Sequence, residues 1–266
     1  MGRNHFDSHE TPFAQGFVMH RIETVQTAYQ RIEVWKSAMQ VEFRVEKAVH
    51  AWWHQQRFLT GLAWDNMIAA TLLHPSGLPK SILMLGLAGG TTFHALRHLL
   101  PSANLTAVDI DGEVVSLAKR HMHLGDLRCE IHIADAYQWI QSCKLRYDVV
   151  IDDVYLAGAA DVFRPGTWDQ QAINDLKKLL NPNGILLTNL IRGKGHRALQ
   201  SNIRKLFRST FPQSKEVRTP DGLNETLCGG TQLLHRSALQ PWKEHFNSAR
   251  DRTLWDKISV RSLAKI

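Results

Sequence analysis

The residues best placed to do chemistry stand where apolar runs end. Ser81-Ile-Leu-Met-Leu-Gly-Leu-Ala-Gly-Gly-Thr-Thr-Phe93 passes from an apolar run through glycines into a helix-like pattern. Val108-Asp-Ile-Asp111, Ala134-Asp-Ala136 and Ile151-Asp-Asp153 follow, and each places acid at the close of an apolar run. Gly86, Gly89 and Gly90 remove side chains that would hold a ligand off the backbone. Amides at the start of the next helix then face a polar or anionic ligand. Leu87, Ala88 and Ile110 belong to the same ligand-contacting turns. Asp109 can accept hydrogen bonds from both hydroxyls of a ribose. Asp135 can accept from the exocyclic amine of adenine, with Ala136 leaving room for the flat ring. Asp153 stands where the reactive end of such a ligand would project. Together these positions describe a nucleoside site on one edge of a sheet.

Each residue also has a plainer use. Asp109 and Asp135 can cap the helices that follow them, and Asp111 reads as a cap first. Asp152 fits a strand-end carboxylate bonded to nearby amides. Tyr155 is either a core aromatic or a pocket wall. His121 and His123 are too few for a metal site and read as surface histidines, so no metal is expected. No Ser/His/Asp or Cys/His set stands out as a covalent nucleophile. The turn departs from G-x-G-x-x-G, because Ala88 and Thr91 occupy the second and third glycine positions. The first strand suits an S-adenosylmethionine-binding turn better than a dinucleotide turn.

The elements that must hold these residues alternate. Ile82–Leu85, Leu105–Val108, Glu130–Ile133, Val149–Ile151 and Ile185–Leu190 read as strands. Thr92–Leu100, Glu113–Met122, Tyr137–Ser142 and Trp168–Leu180 read as helices, the last stopped by Asn181-Pro-Asn-Gly184. A basic helix spans Arg192 to Arg208, and residues 214–218 and 226–234 suggest two further strands around a Pro-Asp-Gly turn at 220–222. This alternation predicts an α/β fold with a mostly parallel sheet covered on both faces. Upstream, Tyr29–Trp35 and Val41–Val45 alternate as half-exposed strands of a small N-terminal β-rich segment. Leu62–Leu73 reads as a helix, and residues 1–17 as a frayed terminus. Expected boundaries are a 1–75 N-terminal region, a 76–239 Rossmann-like nucleoside-binding domain and a 240–266 C-terminal helical tail.

The 266 residues are 44% hydrophobic, enough for a full core. No apolar run approaches the roughly 20 residues that span a membrane, and no signal peptide is visible, so a cytoplasmic protein without membrane partners is expected. Cys129, Cys143 and Cys228 fit reduced thiols. The net charge of +7 is concentrated in the basic helix. That helix reads as a solvated outer face, so nucleic acid is disfavoured as a partner but left open.

From about 28 to 235 the chain resembles the spermidine synthase family and its looser relatives, on the class I methyltransferase fold. Tyr29-Gln-Arg-Ile-Glu-Val34 is similar to the family's opening strand, and Leu73-His-Pro-Ser76 to its segment before the core. Gly86–Thr91, Val108–Asp111 and Ala134–Ala136 are similar to its glycine, ribose and adenine motifs. Tyr147-Asp-Val-Val-Ile-Asp-Asp153 resembles the strand whose catalytic aspartate falls on Asp153, and Asn181–Leu186 the turn and strand that follow. The resemblance implies S-adenosylmethionine or its decarboxylated form as cofactor, a small-molecule acceptor and a homodimer.

The departures concern the reaction. Polyamine-forming members carry an acid in the glycine loop, where this chain has Gly89, and a second aspartate where it has Leu156. Their Tyr-His-Glu-Met motif appears as Trp64-Asp-Asn-Met67, which makes Trp64 and Asp65 candidate substrate-pocket residues. Losing those groups removes the charge complementarity a diamine needs. The expected activity is an S-adenosylmethionine-dependent transferase, first of all methyl transfer to a small molecule, with Asp153 and Tyr155 at the reacting end. Aminopropyl transfer and a non-catalytic nucleoside-binding module are the alternatives.

Overall fold

A computed structural model describes residues 18–158, 162–166, 168–220 and 222–263. The frayed terminus expected for 1–17 lies outside them, as does Asp221 of the 220–222 turn. Strands β1 (His20–Gln26), β2 (Arg31–Lys36), β3 (Gln40–Val45) and β4 (Ala48–His54) form an antiparallel sheet in sequence order. Its inner face carries Ile32, Val34, Val41 and Phe43, all buried. Helix α1 (Ala63–Thr71) leads into the second part of the chain.

There β5 (Ser81–Leu85), α2 (Thr91–Leu99), β6 (Asn104–Asp109), α3 (Gly112–His121), β7 (Glu130–Ile133), α4 (Ala136–Ser142) and β8 (Tyr147–Asp152) alternate. A two-stranded hairpin, β9 (Leu156–Ala157) with β10 (Val162–Phe163), precedes α5 (Gln170–Lys178), β11 (Leu180–Ile191) and α6 (Arg197–Thr210). Strands β12 (Gln213–Arg218) and β13 (Asn224–Gly230), helix α7 (Ala249–Asp256) and β14 (Ser259–Ser262) complete the chain. The main sheet runs β14-β12-β13-β11-β8-β5-β6-β7 among the described residues. The five strands from β11 to β7 are parallel, and β13, β12 and β14 are joined antiparallel. Ile82–Leu85 is apolar at every position because helices cover both faces of a central parallel strand. Strand order reverses between β5 and β8, which opens a crevice at their carboxyl ends.

Two expectations need correction. The 240–266 segment is not only a helical tail: after α7 it adds β14 to the edge of the main sheet, with Val260 opposite Val217. The period of a four-residue edge strand is too short to stand out beside a helical pattern. The helix expected over Trp168–Leu180 is shorter, and the Asn181–Gly184 stop lies within β11 as a break in its pairing with β8. Asn183 there takes a positive φ of 66°. Helix α6 turns its apolar face inward. Ile203 and Phe207 are buried, and Arg204 and Arg218 pair with Glu216 and Glu225 beneath it. Among the described residues no helix is long and apolar enough to cross a membrane.

Candidate active site

The carboxyl ends of the parallel strands and the N-terminal sheet enclose a cavity of about 1070 Å³. Gly86, Leu87, Ala88, Asp109, Ile110, Asp135, Ala136, Asp153, Tyr155 and Trp64 all line it, whereas Gly89, Gly90 and Asp65 do not. Gly86 carries φ +81°, and a Cβ there would lie 2.4 Å from the Asp153 carbonyl oxygen. That close approach seats the turn after β5 against the end of β8. Gly90 begins α2 with φ +78°. Gly89 has a packing reason instead: a Cβ there would meet Ala51 Cβ and Met122 Sδ, both at 2.5 Å. The loop thus leaves no room for an acid at 89 unless β4 or Met122 moves.

Asp109 holds the turn itself. Its Oδ2 accepts from the amides of Leu87 and Ala88, each at 2.8 Å, and its Oδ1 from Asp111 N at 2.9 Å. Ala88 takes φ +48°, a costly conformation for a residue with a Cβ, and its bond to Asp109 offsets part of that cost. Burial pushes the Asp109 carboxyl above the usual carboxylate range, although the three amides pull it back. Oδ2 already holds two bonds and Oδ1 holds one. One acceptor position, on Oδ1, is thereby left for a ribose hydroxyl. Asp135 caps α4 through Oδ1, which accepts from Tyr137 N and Gln138 N. Asp111 caps α3 and accepts from Thr27 Oγ1 at 2.6 Å.

At the other end the pocket differs from expectation. Asp65 is buried and turned away from the cavity. It accepts from Thr60 N, Thr60 Oγ1 and Gly61 N, and so pins the loop that leads into α1, on which Trp64 lies. Burial pushes its carboxyl up to about 6. Asp153 faces the cavity, half-buried, and Asn189 Nδ2 donates to its Oδ1 at 2.7 Å. Burial pushes Asp153 up to about 7, against the Asn189 bond and the charge of Arg164, which lower it. Tyr155 OH donates to the Asn189 carbonyl at 2.9 Å.

Arg164 escaped the sequence reading. It lies just after β10, where no periodicity marks it. Fully buried, it pairs with Asp152 and donates to the Asn189 carbonyl, and its guanidinium lies 4.6 Å from the centre of the Tyr155 ring. Burial opposes its charge, yet Asp152 outweighs that and raises its pKa. Asp152 is thus a buried counter-ion, and Asp153 is the strand-end acid that meets the cavity. Asn189, Asn224, His50, Lys47 and Arg250 also line the cavity without having been singled out. The polar pair Thr188-Asn189 within the apolar run of β11 was the available signal. Burial holds His50 below its ordinary pKa, toward the neutral form. Among the described residues no cluster of His, Cys, Asp and Glu is suited to a metal.

The family model for the spermine/spermidine synthase domain matches residues 62–220. The eEF1A lysine and N-terminal methyltransferase homolog of Drosophila melanogaster is 24% identical over 193 residues, covering 68% of this chain and 28% of that protein. The polyamine aminopropyltransferase of Vibrio vulnificus is 26% identical over 188 residues, covering 68% of this chain and 60% of that protein. A crystal structure of spermidine synthase in complex with the transition state analogue AdoDATO superposes with a TM-score of 0.66 at 17% identity, covering 89% of this chain and 85% of that one. The chain therefore spans less than two thirds of the length of either relative, and the structural likeness carries the fold.

Proposed function

Because the chain belongs to the spermine/spermidine synthase domain family, we propose that it is an S-adenosylmethionine-dependent transferase that moves a methyl group to a small-molecule acceptor. The nucleoside end of the cavity suits the donor. The Gly86 turn brings backbone close, Asp109 keeps one acceptor position, and Ile110 and Ala136 offer apolar surface for a flat base. S-adenosylmethionine, when bound, supplies an electrophilic carbon on its sulfonium.

The observation that carries the choice of methyl transfer is the charge at the acceptor end. Asp65 is turned inward, Gly89 and Leu156 replace acids, and Asp153 is a carboxyl that burial resists ionising. Lys47 and Arg250 line the same cavity. A diamine at the Asp153 end would find one partly neutral acid to receive it, a poor match, because Asp109, Asp111 and Asp135 stand at the nucleoside end. A donor that keeps its carboxylate shares the cavity with the Lys47 ammonium, a favourable match in charge. Trp64 and Tyr155 wall the acceptor, so catalysis rests largely on orientation. Asp153, with a pKa near neutrality, can take a proton from the acceptor as it reacts.

Titration calorimetry with S-adenosylmethionine and its decarboxylated form tests the donor. The carboxylated form is expected to bind at least about tenfold more tightly; the reverse preference would establish aminopropyl transfer instead. That second reading keeps support from the similarity to the Vibrio vulnificus enzyme. Turnover is expected to rise with pH through about 7 as Asp153 ionises, and Asp153→Asn to abolish it while nucleoside binding persists. Absence of turnover in the parent chain, with nucleoside bound, would favour the non-catalytic module. A homodimer and a cytoplasmic location complete the proposal; size-exclusion chromatography with light scattering checks the first.

A further inference from the structure

Asn189 stands next to Asp153 because β11 and β8 run parallel in register, with Thr188 opposite Asp152. The two neighbouring pairs do different work. Thr188 Oγ1 donates to the buried Asp152 Oδ2 at 2.8 Å. Asn189 Nδ2 donates to the cavity-facing Asp153 Oδ1 at 2.7 Å. The Asn189 backbone carbonyl accepts from both Tyr155 OH and Arg164. One residue thereby touches both groups assigned to the reacting end.

An amide can turn either its oxygen or its nitrogen toward a carboxyl, and the neighbours decide which. Asn224, at the start of β13, donates through Nδ2 to Asn189 Oδ1 at 3.1 Å. Asn66 on α1 donates to the Asn224 carbonyl at 3.4 Å. The Asn66 bond ends on a backbone carbonyl and holds the start of β13 in place, and the side-chain donors run from Asn224 to Asn189 and on to Asp153. With Asn224 donating to its Oδ1, Asn189 turns its NH₂ to the carboxyl, which leaves Oδ2 to carry the proton of the neutral acid.

We infer that Asn189 is the positioning residue of the acceptor end: its amide, oriented by Asn224, fixes the rotamer and the proton-bearing oxygen of Asp153, while its carbonyl fixes Tyr155. The inference deepens the transferase reading and rests on Asp153 being the acceptor-side carboxyl. The charged and titratable groups around Asp153 are Asp152, Arg164 and Tyr155. None of these is altered by changes at 189 or 224.

The test is a carbon-13 NMR titration of Asp-labelled protein, with the Asp153 signal assigned by its loss in Asp153→Asn. Asn189→Leu removes a hydrogen bond to the charged carboxylate, so the Asp153 midpoint is expected to rise by roughly 1–2 pH units. Asn224→Leu leaves the Asn189 side chain in place but frees its amide to turn, and a smaller rise in the same direction is expected. Circular dichroism and thermal unfolding establish that each variant is folded. An unchanged midpoint in folded Asn189→Leu overturns the inference. If that variant does not fold, Asn224→Leu decides: a rise supports the relay and an unchanged midpoint overturns it. Because the titration needs no donor or acceptor, its outcome is separate from that of the donor-binding experiment.

Discussion

Asp153 is a carboxyl whose charge the fold resists. In the unfolded chain its pKa lies near 3.9, and burial raises it to about 7 in the folded state. Between those values the folded chain holds a proton that the unfolded chain has released. Stability therefore falls as pH rises from about 4 to about 7. Below that window both states are protonated and the group contributes nothing; above it the penalty is complete. The carboxyl is half-buried at the cavity wall, so solvent reduces the penalty below the full value of the shift. Asp153→Asn keeps an oxygen that can accept from Asn189 while removing the charge. It is expected to stabilise the protein by about 1–3 kcal/mol at pH 8 and by less than about 0.5 kcal/mol at pH 4. Urea unfolding at the two pH values measures the difference, and equal effects at both would contradict the linkage. A residue that costs stability in its ionised form is what a general base in a cavity looks like.

At the scale of elements, the glycine turn does two jobs that its sequence runs together. Gly86 and Gly90 serve the backbone path, with positive φ at both. Gly89 serves packing, as its missing Cβ makes room for Ala51 on β4 and Met122 at the end of α3. Gly89→Ala is expected to cost about 1–3 kcal/mol through overpacking. Adding Ala51→Gly should recover part of that loss, because it removes one of the two obstructing atoms. A neutral Gly89→Ala in denaturant unfolding would mean that β4 shifts freely there. The same division explains what was legible beforehand. The parallel strands showed themselves because each apolar run ends in a turn and a helix of different period. Asp109, Asp135 and Asp153 stood out as acids at strand ends, and all three line the cavity. Their partners did not stand out. Asp109 and Asp135 spend oxygens on nearby amides, a local bond that residue type alone cannot apportion. Asp65 looked like a pocket acid because the resemblance places the pocket there, yet its three bonds lie within Thr60–Gly61. Arg164 was hidden because its importance comes from Asp152, twelve residues upstream. β14 was hidden because its partner, β12, lies far back in the chain and its own pattern is four residues long.

At the scale of the molecule, the cavity exists only because two sheets are held at a fixed distance. Tyr29, Gln30, Ile32 and Phe43 come from the N-terminal sheet, and Gly86, Asp109 and Asp153 from the main one. Two buried joints tie them together. Thr91 Oγ1 at the start of α2 exchanges bonds with Trp52 on β4, accepting from its amide at 2.8 Å and donating to its carbonyl at 2.9 Å. Thr27, in the turn between β1 and β2, donates to Asp111 Oδ2 at 2.6 Å, while its own oxygen accepts from Tyr29 N and Gln30 N. The second joint bears directly on binding, because Asp111 also caps α3 and bonds through its amide to Asp109. Thr27→Val preserves shape and removes the hydroxyl. It leaves a buried carboxylate oxygen short of a donor, at an expected cost of about 1.5–3 kcal/mol. If the joint merely added stability, S-adenosylhomocysteine would bind the folded variant as it binds the parent. If it also sets the height of the roof, affinity should fall by about tenfold at temperatures where the variant remains fully folded. Calorimetry at 15 °C, well below the unfolding transition of the variant, separates the two outcomes. A drop in affinity there would mean that the N-terminal sheet is a working wall of the nucleoside site, set in place by one hydroxyl.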